Sequence, residues 1–476
     1  MSRNKTPIVA IVGRANVGKS SLFNAVIGRR EAIVAEEAGT TRDSIYAKAS
    51  YENSDFWLVD TAGLKDAEDD FEFTIQEQIL QAADSADLIM VVIESDVNIT
   101  EEDRKVAKLA LKTRKPVILL VNKWDKNPRG DISPFQKLGI KQIFTTSATQ
   151  NSGLAQMLDY VHTNLPKSSI NVASDRLHVA LLGRPNVGKS ALFNNLAKKQ
   201  QAIVADRAGT TRDVNRTVIK YNGREIELMD TAGIRRNGKI EVGIEKFSVI
   251  RSLAAIEQSD VCMLLLDANE AATQLDQKIA GMIKDAGKGL ILVISKWDTI
   301  EKDEFTRDKM APKLRYEFDF VPWAPLVFTS SITGQNVSKL FELVEEIVSK
   351  RNQKITTSSL NKWLRKATDR HPPAGLKSRQ PKLNYMVQED DNPIPAFKIF
   401  GAHTKFVHWS YRRYLETELR KVWNYEGTPL QLWFIEKHED RHKTKDGIDW
   451  KAGLRKEQLP GSERANNDVP YEKIEK

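Results

Sequence analysis

Two short stretches carry the residues best suited to phosphate chemistry: Gly13, Arg14, Ala15, Asn16, Val17, Gly18, Lys19 and Ser20, and, 170 residues later, Gly183, Arg184, Pro185, Asn186, Val187, Gly188, Lys189 and Ser190. Each reads Gly-x-x-x-x-Gly-Lys-Ser between an apolar β-branched run and a helical pattern. That is the spacing of a phosphate loop. Glycines let successive backbone N–H groups wrap an anion, and the helix N-terminus behind them favours negative charge. Lys19 and Lys189 would reach the β and γ phosphates. The Ser20 and Ser190 hydroxyls would meet Mg²⁺, an ion that takes few protein ligands and otherwise keeps water and phosphate oxygens. One such match could be a chance glycine-rich turn; two in register exclude that.

A second pair of motifs keeps the same offset. Asp60, Thr61, Ala62 and Gly63 recur as Asp230, Thr231, Ala232 and Gly233. The aspartates end predicted strands, where a carboxylate can reach the Mg²⁺ shell, and Gly63 and Gly233 leave room for backbone beside a γ-phosphate. Thr41 and Thr211, each in a Gly-Thr-Thr-Arg-Asp segment, lie between the two motifs. A loop there can bring a hydroxyl to the metal only while the γ-phosphate is present.

Base choice falls to Asn122, Lys123, Trp124 and Asp125, which follow an apolar strand. A carboxylate at Asp125 accepts from guanine N1–H and N2–H₂, donors that adenine lacks, so ATP would leave it facing an acceptor unpaired. Lys123 would lay its stem on the base, and Ser147-Ala148 would offer a backbone N–H to guanine O6. The second copy supplies Ser295, Lys296, Trp297 and Asp298, then Ser330 and Ser331.

Holding these residues takes two copies of one α/β domain. Short β-branched runs alternate with helical patterns, the signature of βαβ units on a largely parallel sheet with helices on both faces. Strands are predicted at 8–12, 56–59, 88–93, 117–121 and 142–146, and again at 179–182, 225–229, 261–266, 290–294 and 326–329. The first P-loop GTPase domain is placed at 1–164, a linker at 165–175 and the second domain at 176–350. After Lys350 the order becomes α-β-β-α-β, a small α+β domain over 351–437. It has a helix stopping before Pro372 and a longer one carrying Tyr411, Leu415, Leu419 and Val422 on its apolar face. Residues 438–476 are rich in charges of both signs and poor in apolar residues, so a poorly ordered tail is expected.

Together these motifs resemble the translational GTPases, and among them the EngA (Der) family of bacterial double-GTPases, over about 8–437. His371-Pro-Pro373, Asn384 to Gln388 and Tyr411 to Leu415 look like that family's third-domain pattern. The resemblance implies a KH-like third domain, GTP/GDP and Mg²⁺ as ligands, GTP hydrolysis, and assistance to assembly of the large ribosomal subunit through its rRNA. Leu64 and Ile234 follow the two Asp-Thr-Ala-Gly motifs, and neither can orient a water, so intrinsic turnover is expected to be slow. The resemblance implies a substitute: K⁺ seated by Asn16 and Asn186, supplying positive charge where other GTPases use an arginine finger. The alternative for these asparagines is a turn-stabilising amide.

Three departures matter. Ser295 stands where that family usually carries Asn, whose amide braces the phosphate loop and touches the base, so weaker guanine binding is expected at the second site. Ser331 replaces the alanine of the first copy, where the contact is a backbone N–H. No Gly-x-x-Gly clamp follows Lys350, which speaks against ordinary KH gripping of nucleotides.

Composition bounds the partners. Lys plus Arg number 72 against 64 Asp plus Glu, a net +8, which favours a polyanionic partner. From 353 to 437 there are fifteen Lys and Arg against eight Asp and Glu, interleaved with aromatics. Lys65 to Asp70 is acidic where the equivalent Arg235 to Lys239 is basic, which implies different partners for the two switch segments. The lone Cys262 in an apolar run reads as inert core and fits a reducing compartment. No run is long enough to span a membrane; a cytoplasmic monomer is expected. The competing reading is a GTP-dependent RNA-binding scaffold or nucleotide sensor whose second site binds but barely hydrolyses.

Overall fold

The computed structural model describes residues 6–28, 46–52, 54–61, 79, 82, 85–95, 98–166, 176–199, 216–230, 249–301, 305–374, 380–390 and 392–436. By its contacts the chain divides into two compact units, one of residues 1–351 with 425–429, the other of 352–424 with 430–476.

The first unit holds two six-stranded sheets. One contains β1 (Ile8–Val12), β2 (Tyr46–Tyr51), β3 (Ser54–Asp60), β4 (Leu88–Glu94), β5 (Val117–Asn122) and β6 (Gln142–Thr145), in the order β2-β3-β1-β4-β5-β6. The other contains β7 (Leu177–Leu182), β8 (Arg216–Tyr221), β9 (Arg224–Asp230), β10 (Val261–Asp267), β11 (Gly289–Ser295) and β12 (Leu326–Phe328), and repeats that order as β8-β9-β7-β10-β11-β12. Every predicted strand is present, with ends moved by no more than two residues. β2 and β8 are additions: each pairs antiparallel with the strand after it. Their half-polar sequences, YAKASY and RTVIKY, lack the continuous apolar run that marks a strand buried on both faces. Such runs fill the central strands, and Leu88 to Ile93 is buried throughout.

Helices of the first unit are α1 (Lys19–Ile27), α2 (Glu101–Lys112), α3 (Ser133–Gln136), α4 (Leu154–Asn164), α5 (Lys189–Lys199), α6 (Val249–Gln258), α7 (Gln274–Asp285), α8 (Thr306–Glu317) and α9 (Lys339–Arg351). Thr100 with Asp103 and Thr273 with Asp276 form capping boxes at the starts of α2 and α7, each satisfying backbone N–H groups that a helix start leaves without partners. The two halves are not insulated from one another. Ile8, Ala10, Trp57 and Val59 of the first sheet belong to one buried cluster with Val249, Ile250 and Leu253 of α6. Cys262 is fully buried in that cluster, and burial pushes its thiol up to about 12, as its inert core reading requires.

The second unit has the expected α-β-β-α-β order: α10 (Thr357–Arg370), β13 (Lys382–Glu389), β14 (Ala396–Ala402), α11 (Trp409–Trp423) and β15 (Gln431–Glu436). β14 is central, antiparallel to β13 and parallel to β15. Asn361 on α10 ties helix to sheet: its amide donates to Met386 O at 3.0 Å and accepts from Met386 N at 2.9 Å. The expected apolar face of α11 needs one correction. Leu415 and Leu419 are buried, but Val422 is 59% exposed, because Trp423 takes the inward place with its ring 5.7 Å from Trp363. The tail at 438–476 lies outside the described residues, and among those described no helix is long and apolar enough to cross a membrane.

Candidate functional site

Both phosphate loops leave the carboxyl end of a central strand, β1 or β7. That strand pairs with β3 and β4 on its two sides in one sheet, and with β9 and β10 in the other. A ligand crevice is expected where neighbouring connections diverge in this way. Gly18 and Gly188 take φ of 92° and 98°, a left-handed conformation that turns the chain into the following helix and that glycine adopts without steric strain. Asn16 and Asn186 are left-handed too, at 63° and 62°, which gives asparagine a backbone reason to be there.

The phosphate-loop lysines curl over their own loops. Lys19 Nζ donates to Gly13 O at 2.9 Å and Arg14 O at 2.6 Å, and Lys189 makes the same pair of bonds to Gly183 O and Arg184 O at 3.0 and 2.6 Å. Burial holds the Lys19 ammonium below the ordinary lysine pKa, partly opposed by Asp60. An anion on the loop would restore that charge. Ser20 Oγ donates to Asp60 Oδ2 at 2.6 Å, so hydroxyl and carboxylate converge where one small oxygen-loving cation would touch both. Asp60 and Asp230 occupy matching places, paired with Ile11 and Leu181. Thr41, Ala62, Gly63, Leu64, Thr211, Thr231, Ala232, Gly233, Ile234 and Arg235 to Lys239 lie outside the described residues, as does the side chain of Asp230.

At the base end, Lys123 and Lys296 are left-handed, at φ of 60° and 54°, and each opens a short 3-10 turn carrying the aspartate, Trp124–Lys126 or Trp297–Thr299. Asp125 Oδ1 is buried without a hydrogen-bond partner. A buried carboxylate oxygen left unpaired is costly, so this atom marks a place for a ligand donor. Lys123 Nζ reaches Asn16 O at 2.9 Å and Glu94 Oε1 at 2.6 Å; Lys296 Nζ reaches Asp267 Oδ2 at 2.7 Å. Asn122 donates to Val17 O at 2.9 Å, and Ser295 Oγ lies 2.6 Å from Val187 O, so both replicate a tie to the phosphate loop. Trp297 is buried with its ring 4.5 Å from that of Phe328, and Trp124 is partly buried. The backbone N–H of Ser147 is spent on Ser152 O and that of Ser330 on Gln335 O, which leaves those of Ala148 and Ser331 as candidates for a base carbonyl.

Arg14 and Arg184 are placed differently from the simplest expectation of phosphate ligands. Arg14 pairs with Glu94 and Asp103 at 3.3 and 3.4 Å, and Arg184 with Glu270 and Asp276 at 2.9 and 3.2 Å. The capping aspartates of α2 and α7 therefore also anchor the loop arginines. Burial raises the Asp276 carboxyl, opposed chiefly by Arg184. The Thr-x-x-Asp spacing was readable in the sequence; its second use was not.

A ligand that presents phosphates to the Lys19 loop and N–H donors to Asp125 is a guanine nucleotide, and the chain is thereby a P-loop GTPase with two G domains in tandem. Residues 8–123 and 178–296 each match the family described as 50S ribosome-binding GTPase, and 354–434 match the KH-domain-like C-terminal domain of EngA bacterial GTPases. The sequence is 44% identical to GTPase Der of Chloroflexus aggregans over 447 residues, covering 91% of this chain and 99% of the relative. It is 40% identical to GTPase Der of Lachnospira eligens over 437 residues, with the same coverage. Among solved structures, the G domain of the T. maritima FeoB iron transporter matches 33% of this chain and 98% of that one at 26% identity and a TM-score of 0.26. The chain belongs to the GTPase Der (EngA) family, and it binds and hydrolyses GTP.

Proposed function

We propose that this chain is a GTP-driven switch that assists assembly of the large ribosomal subunit, acting in the cytoplasm as a monomer and docking on rRNA. The unpartnered buried oxygen of Asp125 carries the choice of nucleotide. The description of the matching family as ribosome-binding and the basic surplus of the third domain support the choice of partner.

In this reading the backbone of 13–18 and 183–188 cradles the phosphates, while Lys19 and Lys189 neutralise the β and γ groups. Ser20 with Asp60, and Ser190 with Asp230, would hold Mg²⁺, and Thr41 and Thr211 would join them in the GTP state. When bound, Mg²⁺ at these residues would supply positive charge beside the γ-phosphate oxygens. Gly63 and Gly233 give backbone N–H groups to the γ-phosphate. Asp125 and Asp298 read the base, with Ala148 and Ser331 offering N–H to its carbonyl. Because Leu64 and Ile234 carry no polar group, Asn16 and Asn186 would seat K⁺, which would supply the missing charge. Co-sedimentation with ribosomal subunits in GDP and in a non-hydrolysable GTP analogue tests the switch: binding to the large subunit that depends on nucleotide supports it, and equal binding in both states, or none, removes it.

A further inference from the structure

The two sites differ in how the phosphate loop, the base-reading turn and the base-carbonyl loop are joined. In the first, the Asn122 amide links all three. It stands directly before Lys123, donates to Val17 O at 2.9 Å and lies 3.4 Å from the Thr146 hydroxyl, which donates to its Oδ1. Its nitrogen also fills the space over the loop, 2.3 Å from where a Cβ on Gly18 would stand.

In the second site Ser295 is a shorter arm with one proton. Its Oγ is 2.6 Å from Val187 O and 2.9 Å from Leu266 O, and a single hydroxyl hydrogen serves only one of these carbonyls well at a time. Thr329, the counterpart of Thr146, has no amide oxygen to meet and donates instead to Ile294 O of its own sheet at 3.2 Å. Nothing lies within 4 Å of a Cβ position on Gly188. The residue before the base-reading lysine, which makes a three-way joint in the first site, is reduced in the second to one hydroxyl shared between two carbonyls, beside open volume; the base-carbonyl loop is tied there instead by Asn195, whose amide donates to Ser331 O at 2.6 Å.

We propose that Ser295 is the positioning residue that sets nucleotide residence in the second site: it keeps the phosphate loop in register, and its short side chain makes this the fast-exchanging site of the two. The bonds affected lie between binding loops rather than at the reacting phosphorus. The effect therefore falls on binding and release, with the chemical step of bound GTP left alone. This inference rests on the reading of residues 183–190 and 295–298 as a guanine-nucleotide site.

Release of a fluorescent GDP analogue from the full-length chain tests it, with Lys19→Ala used to read the second site and Lys189→Ala the first. Ser295→Asn is expected to slow release from the second site roughly three- to tenfold, the worth of one neutral hydrogen bond, with KM for GTP falling by a larger factor than kcat changes. Ser295→Ala, which loses the brace, should speed release, and Ser295→Thr should restore the original rate. Asn122→Ser should speed release from the first site, which keeps the test alive if Ser295→Asn does not fold. Unchanged release in both Ser295→Ala and Asn122→Ser overturns the proposal, as does a fall in kcat that matches the change in affinity. A Lys19→Ala chain with Ser295 intact that binds no guanine nucleotide would instead overturn the underlying assignment of the second site.

Discussion

The indole Nε1 of Trp57 donates to Glu257 Oε1 at 2.6 Å, and both side chains are buried. Trp57 lies on β3, three residues before Asp60, and Glu257 lies on α6 of the other G domain. The second carboxylate oxygen accepts from Thr6 N at 3.3 Å, and the Glu257 carbonyl accepts from Lys288 Nζ at 2.9 Å. One glutamate therefore closes the shared core of the two domains.

Removing that carboxylate should loosen the junction. Glu257→Gln keeps the volume but turns an NH₂ group toward one of two N–H donors, leaving a buried pair unsatisfied at about 1–3 kcal/mol. Urea unfolding followed by far-UV circular dichroism should show a lower midpoint for Glu257→Gln and a similar fall for Trp57→Phe. An unaltered midpoint for both would mean that the contact contributes nothing net.

Guanine selectivity at the first site follows from the orphaned oxygen of Asp125. In Asp125→Asn the amide N–H₂ would face guanine donors, and affinity for GDP should fall by about a hundredfold or more, as for other buried polar mismatches. Xanthine nucleotide, with a carbonyl at C2, should gain. Titration of the full-length variant with GDP should then lose the tighter of the two sites and keep the weaker second one; two unchanged sites would defeat the assignment.

Potassium dependence is the sharpest check on hydrolysis without a polar residue after Asp-Thr-Ala-Gly. Turnover in K⁺ is expected to exceed turnover in Na⁺ at equal ionic strength by roughly tenfold or more, the scale on which one added charge acts at a transition state. Asn16→Ala with Asn186→Ala should remove most of that difference. Equal rates in the two salts would leave the left-handed turn as the whole reason for these asparagines.

Nucleotide affinity should also depend on alkaline pH, with a definite sign. Burial lowers the pKa of Lys19 in the free loop, and bound phosphate raises it by pairing with the ammonium. Near and above that lowered value binding therefore takes up a proton, so affinity should hold below it and weaken as pH rises through it, before the ordinary 10.5 is reached. Calorimetry in buffers of different ionisation enthalpy would detect that proton uptake. Affinity that first falls above 10.5 would show that the free loop keeps an ordinary lysine.

Much of the fold and both candidate sites were legible in the sequence because their signals are local. Gly-x-x-x-x-Gly-Lys-Ser, Asp-Thr-Ala-Gly and the apolar strand runs each specify a turn or a strand within a few residues, and a fixed offset of 170 repeats them. The α-β-β-α-β order of the last unit was readable for the same reason. The edge strands β2 and β8 were not, since a strand with one covered face presents only alternation.

What the tertiary structure alone decided are pairings between segments far apart in the chain. Arg14 and Arg184 carry the charge of a phosphate ligand, yet each finds carboxylates about 80–100 residues away, and a charge partly removed from water settles on the partner that three-dimensional packing brings near. Trp57 and Glu257, 200 residues apart, meet for the same reason. Ser295 could be named from the sequence as a departure, but not the single shared proton or the space over Gly188, because those depend on how long a side chain reaches across a gap that only the folded loops define.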